Sequence, residues 1–200
     1  MTNLVLIRHG VTEWNKSGRY CGHRDIGLSR EGRSQAAKLG RKLNAAKFDK
    51  IYCSDRKRAL QTARIVFGRA DFVKVAGLKE IDFGGLEGMR HKEILDKYGK
   101  VYKNWLKNPY KNNIPKTETV SRFKNRIDKA IKKIIRSNPG KTVAIVCHGG
   151  VISAFVNSAL RTKSFWKYVP SATGVTIVEC GAVRRKLKSF NDTHHLREVQ

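Results

Sequence analysis

Two short apolar runs in this chain end in the same way. Leu4 to Ile7 is continuously hydrophobic and stops at Arg8-His9-Gly10, and Thr142 to Cys147 is mostly hydrophobic and stops at His148-Gly149-Gly150. Runs of this length bounded by glycine read as strands buried on both faces. Between them, Ser29 is placed to cap a helix whose Ala36, Leu39 and Leu43 recur at helical spacing, and Ile51 to Ser54 reads as a third short strand leading into a helix through Thr62 and Ile65. From about Met89 to Ser137 no strand pattern appears. That stretch has helical patterning broken at Pro109 and Pro115, and its longest helix carries Val120, Phe123, Ile127, Ile131 and Ile134 on one stripe before Asn138-Pro139-Gly140 stops it. Gly174 to Glu179 and Val183 to Phe190 read as two strands of a hairpin around Cys180-Gly181, and Asp192 to Gln200 as a surface tail.

Alternation of strand and helix predicts an α/β fold with a mostly parallel central sheet, helices on both faces and a helical insertion at about 89–137, all within one domain over 1–200. The two histidines stand 139 residues apart, yet each sits at the carboxyl end of a predicted strand. In open α/β sheets ligands bind at that edge, so the pattern predicts that His9 and His148 meet.

Composition narrows the chemistry. The chain has 200 residues, with 42 Lys plus Arg against 16 Asp plus Glu, a net charge of +26 that attracts anions of any kind. Cys21, Cys53, Cys147 and Cys180 form no CxxC pair and have no histidines at finger spacing, so neither a zinc site nor a disulfide framework is indicated. The run Thr142 to Leu160 is cut by Cys147-His148-Gly149-Gly150, which argues against a membrane span, and Met1 to Gly10 lacks the form of a targeting segment. A cytoplasmic protein is expected, as monomer or homodimer.

Four segments then carry a resemblance: LIRHGVTEWN from Leu6 to Asn15, SDRKRALQTA from Ser54 to Ala63, LKEIDFGGLEG from Leu78 to Gly88, and VCHGGVI from Val146 to Ile152. In this order they resemble the signature of the histidine phosphatase superfamily, the phosphoglycerate mutase-like proteins, across nearly the whole chain. The resemblance implies a nucleophilic His9, a proton donor and acceptor in Glu80, and a phosphate clamp of Arg8, Arg58 and His148. It also implies substrate contacts from Thr12, Asn15, Cys21, Gly22 and Gly149, with no cofactor and no metal. Elementary chemistry agrees with these roles. Arginine grips two phosphoryl oxygens in one plane and stays charged, and a neutral imidazole has a lone pair able to attack phosphorus. Cys147 reads as a small buried side chain, and His23, His91, His194 and His195 as surface or locally bonded residues.

Only 68 residues separate Glu80 from His148 and the chain ends soon after Phe190, which favours the phosphatase branch over the mutases, in which that stretch and the tail are longer. The segment GGLEGMRHKEI with Trp105, Ile114 and Pro115 is similar to the α-ribazole phosphatases, so a small phosphorylated metabolite such as α-ribazole 5′-phosphate is the expected substrate. The chain departs from the family at Leu86, where many relatives have Trp, and at Lys116-Thr117-Glu118-Thr119, where they have Gly-Gly-Glu-Ser. Both departures fall on the expected substrate side. A reading of a different class follows from charge alone: a nucleic-acid-binding protein using clusters such as Lys129 to Arg136 and Arg184 to Lys188, although these lack interleaved aromatic residues.

Overall fold

The computed structural model describes residues 1–182 and 184–197. In chain order its main elements are β1 (Thr2–Arg8), α1 (Glu13–Lys16), α2 (Arg30–Leu43), β2 (Lys50–Cys53), α3 (Lys57–Phe67), β3 (Val73–Lys74), α4 (His91–Lys107), α5 (Val120–Arg136), β4 (Thr142–Cys147), α6 (Gly149–Leu160), β5 (Val175–Cys180) and β6 (Arg185–Asp192). Short 3₁₀ turns lie at Ala76–Leu78, Gly84–Leu86 and His194–Leu196.

The six strands form one sheet in the order β3-β2-β4-β1-β5-β6. From β3 to β1 all neighbours are parallel, and only β5 runs against the rest, pairing antiparallel with β1 and β6. The expected mostly parallel α/β sheet is therefore present. The strand expected from Val183 starts at Arg185, Val183 itself lies outside the described residues, and Asp192 closes β6 rather than opening a tail. Of that expected tail, 198–200 also lie outside the described residues. The edge strand β3 escaped the sequence reading because it is two exposed residues long, too short to show any period.

Side-chain alternation along β1 sorts the core into two layers. Leu4 and Leu6 join α5 and α6 on one face through Phe123, Ile127, Ile131, Ile152 and Phe155. Val5 and Ile7 join α2 and α3 on the other through Leu39, Ala59 and Ala63. Because both faces are covered, the strand is apolar at every position rather than at every second one. The five-residue stripe of α5 is wholly buried in the main core, whereas α4 belongs to a separate cluster of Leu86, Ile94, Tyr102, Trp105 and Ile114. The helical stretch 89–137 thus divides between a helix that covers the sheet and one that stands beside it.

Local chemistry fixes the helix starts. Ser29 Oγ accepts the Gly32 N–H at 3.0 Å and caps α2 as expected. Thr12 and Asn15 form a reciprocal capping box on the single turn of α1. In the turn facing Lys116, Gly84 has φ +49°, and a Cβ there would meet the Lys116 carbonyl oxygen. Lys116 itself has φ +60°, a left-handed conformation that costs a side-chain-bearing residue roughly 1–2 kcal/mol.

Truncating Phe123 to alanine removes a fully buried ring at the centre of the larger core layer. We expect a loss of about 3–5 kcal/mol in a urea unfolding experiment. A loss below about 1 kcal/mol would show that α5 does not seal the sheet.

Candidate active site

The site is built by the parallel register of neighbouring strands. Residues Asn3 to Arg8 of β1 pair in step with Thr142 to Cys147 of β4, and the His9 N–H donates to the Cys147 carbonyl at 3.0 Å. His9 and His148 therefore leave the sheet side by side, with ring centroids 5.2 Å apart in an edge-on arrangement. Next in the sheet, β2 ends at Cys53 and delivers Ser54 and the first turn of α3, which carries Arg58; beyond β3, the chain returns through Ala76–Leu78 to bring in Glu80. The carboxyl edge gathers Arg8, His9, Arg58, Glu80 and His148, as the spacing of the motifs requires.

His9 is oriented by its own turn. Its Nδ1 lies 2.7 Å from the Gly10 carbonyl, which can only accept, so the proton sits on Nδ1 and the lone pair on Nε2. Arg58 Nε donates to that Nε2 at 3.2 Å. The remaining arms of Arg58 are tied to backbone carbonyls, Nη1 to Arg24 at 2.9 Å and Nη2 to Gly22 at 2.7 Å, so this guanidinium is fixed although almost fully buried. Burial, with Arg58 and Arg8 nearby, holds the His9 pKa well below its ordinary value. His148 is lowered in the same way by burial, then by Arg58, His9 and Arg8. Both rings are thus neutral near pH 7, the state in which an imidazole is a nucleophile or a neutral donor.

The second arginine and the carboxylate meet at the glycine turn that starts α6. A Cβ on Gly149 would lie 3.4 Å from Arg8 Nε, and one on Gly150 would lie 2.3 Å from Glu80 Oε1. Only glycine at position 150 admits the carboxylate, which accepts the Gly150 N–H at 2.8 Å through Oε2 and the Ile81 N–H at 2.9 Å through Oε1. Arg8 Nη1 donates to the Pro170 carbonyl, and burial lowers the Arg8 pKa while Glu80 opposes that shift. Arg8 Nε and His148 Nδ1 are buried and have no hydrogen-bond partner among the described residues.

The other positions implied by the resemblance are more local. Thr12 and Asn15 bond each other's backbone N–H in the α1 cap, and the Thr12 hydroxyl donates to Asn15 Oδ1 at 3.0 Å. A Cβ on Gly22 would lie 2.2 Å from the Ile81 carbonyl oxygen, so only glycine fits there, and its own carbonyl holds Arg58. Cys21 is half-buried, its Sγ 3.9 Å from the Arg24 carbonyl oxygen, and burial raises its thiol pKa. Cys147 is fully buried with its pKa raised by the same cause, which removes it as a nucleophile. His23 lies 3.5 Å from an Asp82 oxygen, and His91 bonds the Tyr102 hydroxyl at 2.8 Å.

Sequence reasoning did not single out the side chains that hold the reacting groups in place. Ser54 Oγ lies 2.8 Å from His148 Nε2 and accepts from the Arg56 N–H at 3.4 Å. A hydroxyl donating to Nε2 leaves the His148 proton on Nδ1. Glu87 accepts the His23 and Arg24 N–H groups at 2.6 and 2.7 Å and so sets the loop whose carbonyls grip Arg58. Arg126 uses every donor it has: its arms reach the carbonyls of Gly77, Lys79 and Glu80 at 3.1, 2.7 and 2.7 Å, and both oxygens of Glu118 at 2.8 Å. Glu118 in turn accepts the Asp82 N–H at 3.1 Å, so the backbone around Glu80 is held from both sides. Glutamate in the Lys-Thr-Glu-Thr turn was the one available signal, since it is shared with the family's Gly-Gly-Glu-Ser.

The histidines also make stability depend on pH. Their folded-state pKa values are lowered, so the unfolded chain binds protons below about pH 6.5 that the folded chain does not, and stability falls as the pH drops through that range. In His148→Gln we expect the unfolding free energy to decline less steeply between pH 6.5 and 5, by up to about 1.4 kcal/mol per pH unit. Equal slopes for parent and variant in urea titrations would mean His148 is not held neutral.

Comparisons with known proteins agree with this arrangement. Residues 4–193 match the family model of the histidine phosphatase superfamily (branch 1). Phosphoserine phosphatase 1 of Hydrogenobacter thermophilus is 29% identical over 202 residues, covering 99% of this chain and 96% of the relative. The adenosylcobalamin/alpha-ribazole phosphatase of Salmonella typhimurium is 31% identical over 170 residues, covering 82% of this chain and 84% of its own. The solved structure of YhfR from Bacillus stearothermophilus superposes with a TM-score of 0.92 at 31% identity, covering 98% of this chain and all of that one. Since the family match begins within the first strand and runs past the end of the last, the chain belongs to the histidine phosphatase superfamily and is a phosphatase.

Proposed function

We propose that the protein hydrolyses a small phosphomonoester through a phosphohistidine at His9. The observation that carries this reading is the pair of buried donors, Arg8 Nε and His148 Nδ1, that have no acceptor among the described residues and stand beside a neutral imidazole with its lone pair on Nε2. A buried unpaired donor costs roughly 1–3 kcal/mol, and phosphoryl oxygens are acceptors that relieve it.

In the first step His9 Nε2 attacks phosphorus, the ester P–O bond breaks, and the departing oxygen takes a proton from Glu80. Arg58 Nε exchanges its bond to His9 for one to a phosphoryl oxygen, which frees the lone pair as the substrate seats. In the second step water attacks phosphorus and gives its proton to the Glu80 carboxylate. The P–N bond breaks and inorganic phosphate leaves. The protein's contribution is mainly positioning and stabilisation of equatorial charge, for which two fixed guanidinium groups, a neutral imidazole donor and the start of α6 are suited. These cations supply the charge that a divalent metal supplies in other phosphatases.

The substrate is a small phosphorylated metabolite, with phosphoserine and α-ribazole 5′-phosphate the first two to compare, since relatives over most of the chain are named for them. The four cysteines are unpaired, which suits a reducing compartment, the cytoplasm in this reading.

His9→Ala should abolish release of inorganic phosphate from an aryl phosphate, whereas the parent should keep full activity in excess chelator. Loss of parental activity on chelation, or its persistence in His9→Ala, contradicts the mechanism. Glu80→Gln should lower kcat by about 10²–10⁴ for an alkyl phosphate and much less for an aryl phosphate whose leaving group needs no proton. An equal loss for both substrates would remove Glu80 from proton transfer.

A further inference from the structure

The two basic clusters noted in the sequence, Lys129 to Arg136 and Arg184 to Lys188, are not absorbed by the phosphatase site. Three parts of the fold bring portions of them together: the last two turns of α5, the end of α6 with the residue that follows it, and Gly181, Ala182 and Arg184 between β5 and β6 with Arg185. There they line a cavity of about 750 Å³. Its cations are Lys132, Arg136, Arg161, Arg184 and Arg185, with Ser158 at its wall, and among the described residues no carboxylate lines it.

These charges are not neutralised by protein carboxylates among the described residues. Among the described residues none of the five takes part in an ion pair, and the one side-chain hydrogen bond is a long one, Arg185 Nη1 to Ser158 Oγ at 3.4 Å. Cations near helix carboxyl ends are commonly capping groups, but here backbone amides do that work. The Ser137 N–H bonds the Lys133 and Ile135 carbonyls at the end of α5, and the Arg161 N–H bonds those of Asn157 and Ser158 at the end of α6. Arg184 and Arg185 stand on the hairpin and lie at no helix end. Arg185 is also fixed in direction, with its guanidinium 5.0 Å above the Phe155 ring.

We propose that this cavity binds a compact ligand with several contiguous phosphate groups, at a site separate from the catalytic one. Its volume is that of a small-molecule pocket, and four guanidinium groups offer bidentate partners for more oxygens than a single phosphate possesses. Among the described residues no aromatic side chain lines it, so the phosphate chain rather than an attached base is what it reads. The cavity lies at the far end of α6 from Gly149, and 12 residues of helix separate the two sites by roughly 18 Å. A neighbouring recess of about 600 Å³, lined by Lys107, Lys111, Lys124 and Lys163, provides the control for a longer polyanion.

The test is calorimetric titration of the full chain with inorganic tripolyphosphate at 150 mM salt, a condition we choose, with the catalytic site filled by orthovanadate. We expect one saturable site to persist under vanadate, similar affinity for a nucleoside triphosphate, and at least a tenfold loss in Arg136→Gln/Arg184→Gln. That double variant should hydrolyse an aryl phosphate as the parent does, which also separates this proposal from the catalytic one. Absence of binding, abolition of binding by vanadate, or unchanged affinity in the double variant overturns it. Single-stranded RNA binding more tightly than tripolyphosphate, and weakened by Lys124→Gln/Lys163→Gln, would also overturn it in favour of an extended polyanion.

Discussion

Everything at the candidate active site depends on the in-register parallel pairing of β1 with β4. That ladder ends with Arg8 opposite Cys147, so the next residue of each strand is a histidine, and two imidazoles far apart in sequence emerge 5.2 Å apart. A slip of one residue would send Arg8 to the opposite face and move His9 away from its partner. Apolar packing on both faces prevents the slip, because Leu4 and Leu6 are committed to α5 and α6 while Val5 and Ile7 are committed to α2 and α3. The hydrophobic core is in this sense the device that sets the chemistry.

Around that ladder the protein holds its cations by backbone oxygen rather than by carboxylates. Arg58 is anchored by two carbonyls and Arg8 by one, and among the described residues neither is tied up in a direct ion pair, although Glu80 lies near Arg8. An opposing carboxylate at either position would neutralise the clamp before substrate arrived. The cost is desolvation, visible in the lowered pKa values of His9, His148 and Arg8. The single carboxylate admitted, Glu80, is itself held by amide donors at a turn where a side chain on Gly150 would expel it.

Most of this was legible in the sequence because it is written in local patterns. The uninterrupted apolar runs of β1 and β4, the stripe of α5 and the Ser29 cap each have a short-range physical cause, and each appears where expected. The side chains that gather at the candidate site were marked by resemblance, as four motifs in order. What stayed hidden was long-range and polar. Arg126 lies on a helix face crowded with other cations, and nothing local marks it as the group that grips Gly77, Lys79, Glu80 and Glu118. Ser54 gives no sign in sequence that it meets His148, 94 residues away. The convergence of two basic clusters on one cavity was equally invisible, since each alone reads as a solvated surface.

The central claim is that His9 carries the phosphoryl group between two displacements. It is tested most directly by mixing enzyme with a phosphorus-labelled substrate, quenching in alkali within a turnover, and locating the label by peptide mass spectrometry. The account predicts acid-labile, alkali-stable phosphate on the peptide containing His9, formed and lost at rates that match turnover. Label found only as inorganic phosphate when substrate is rapidly consumed, or attached to any other residue, would contradict it.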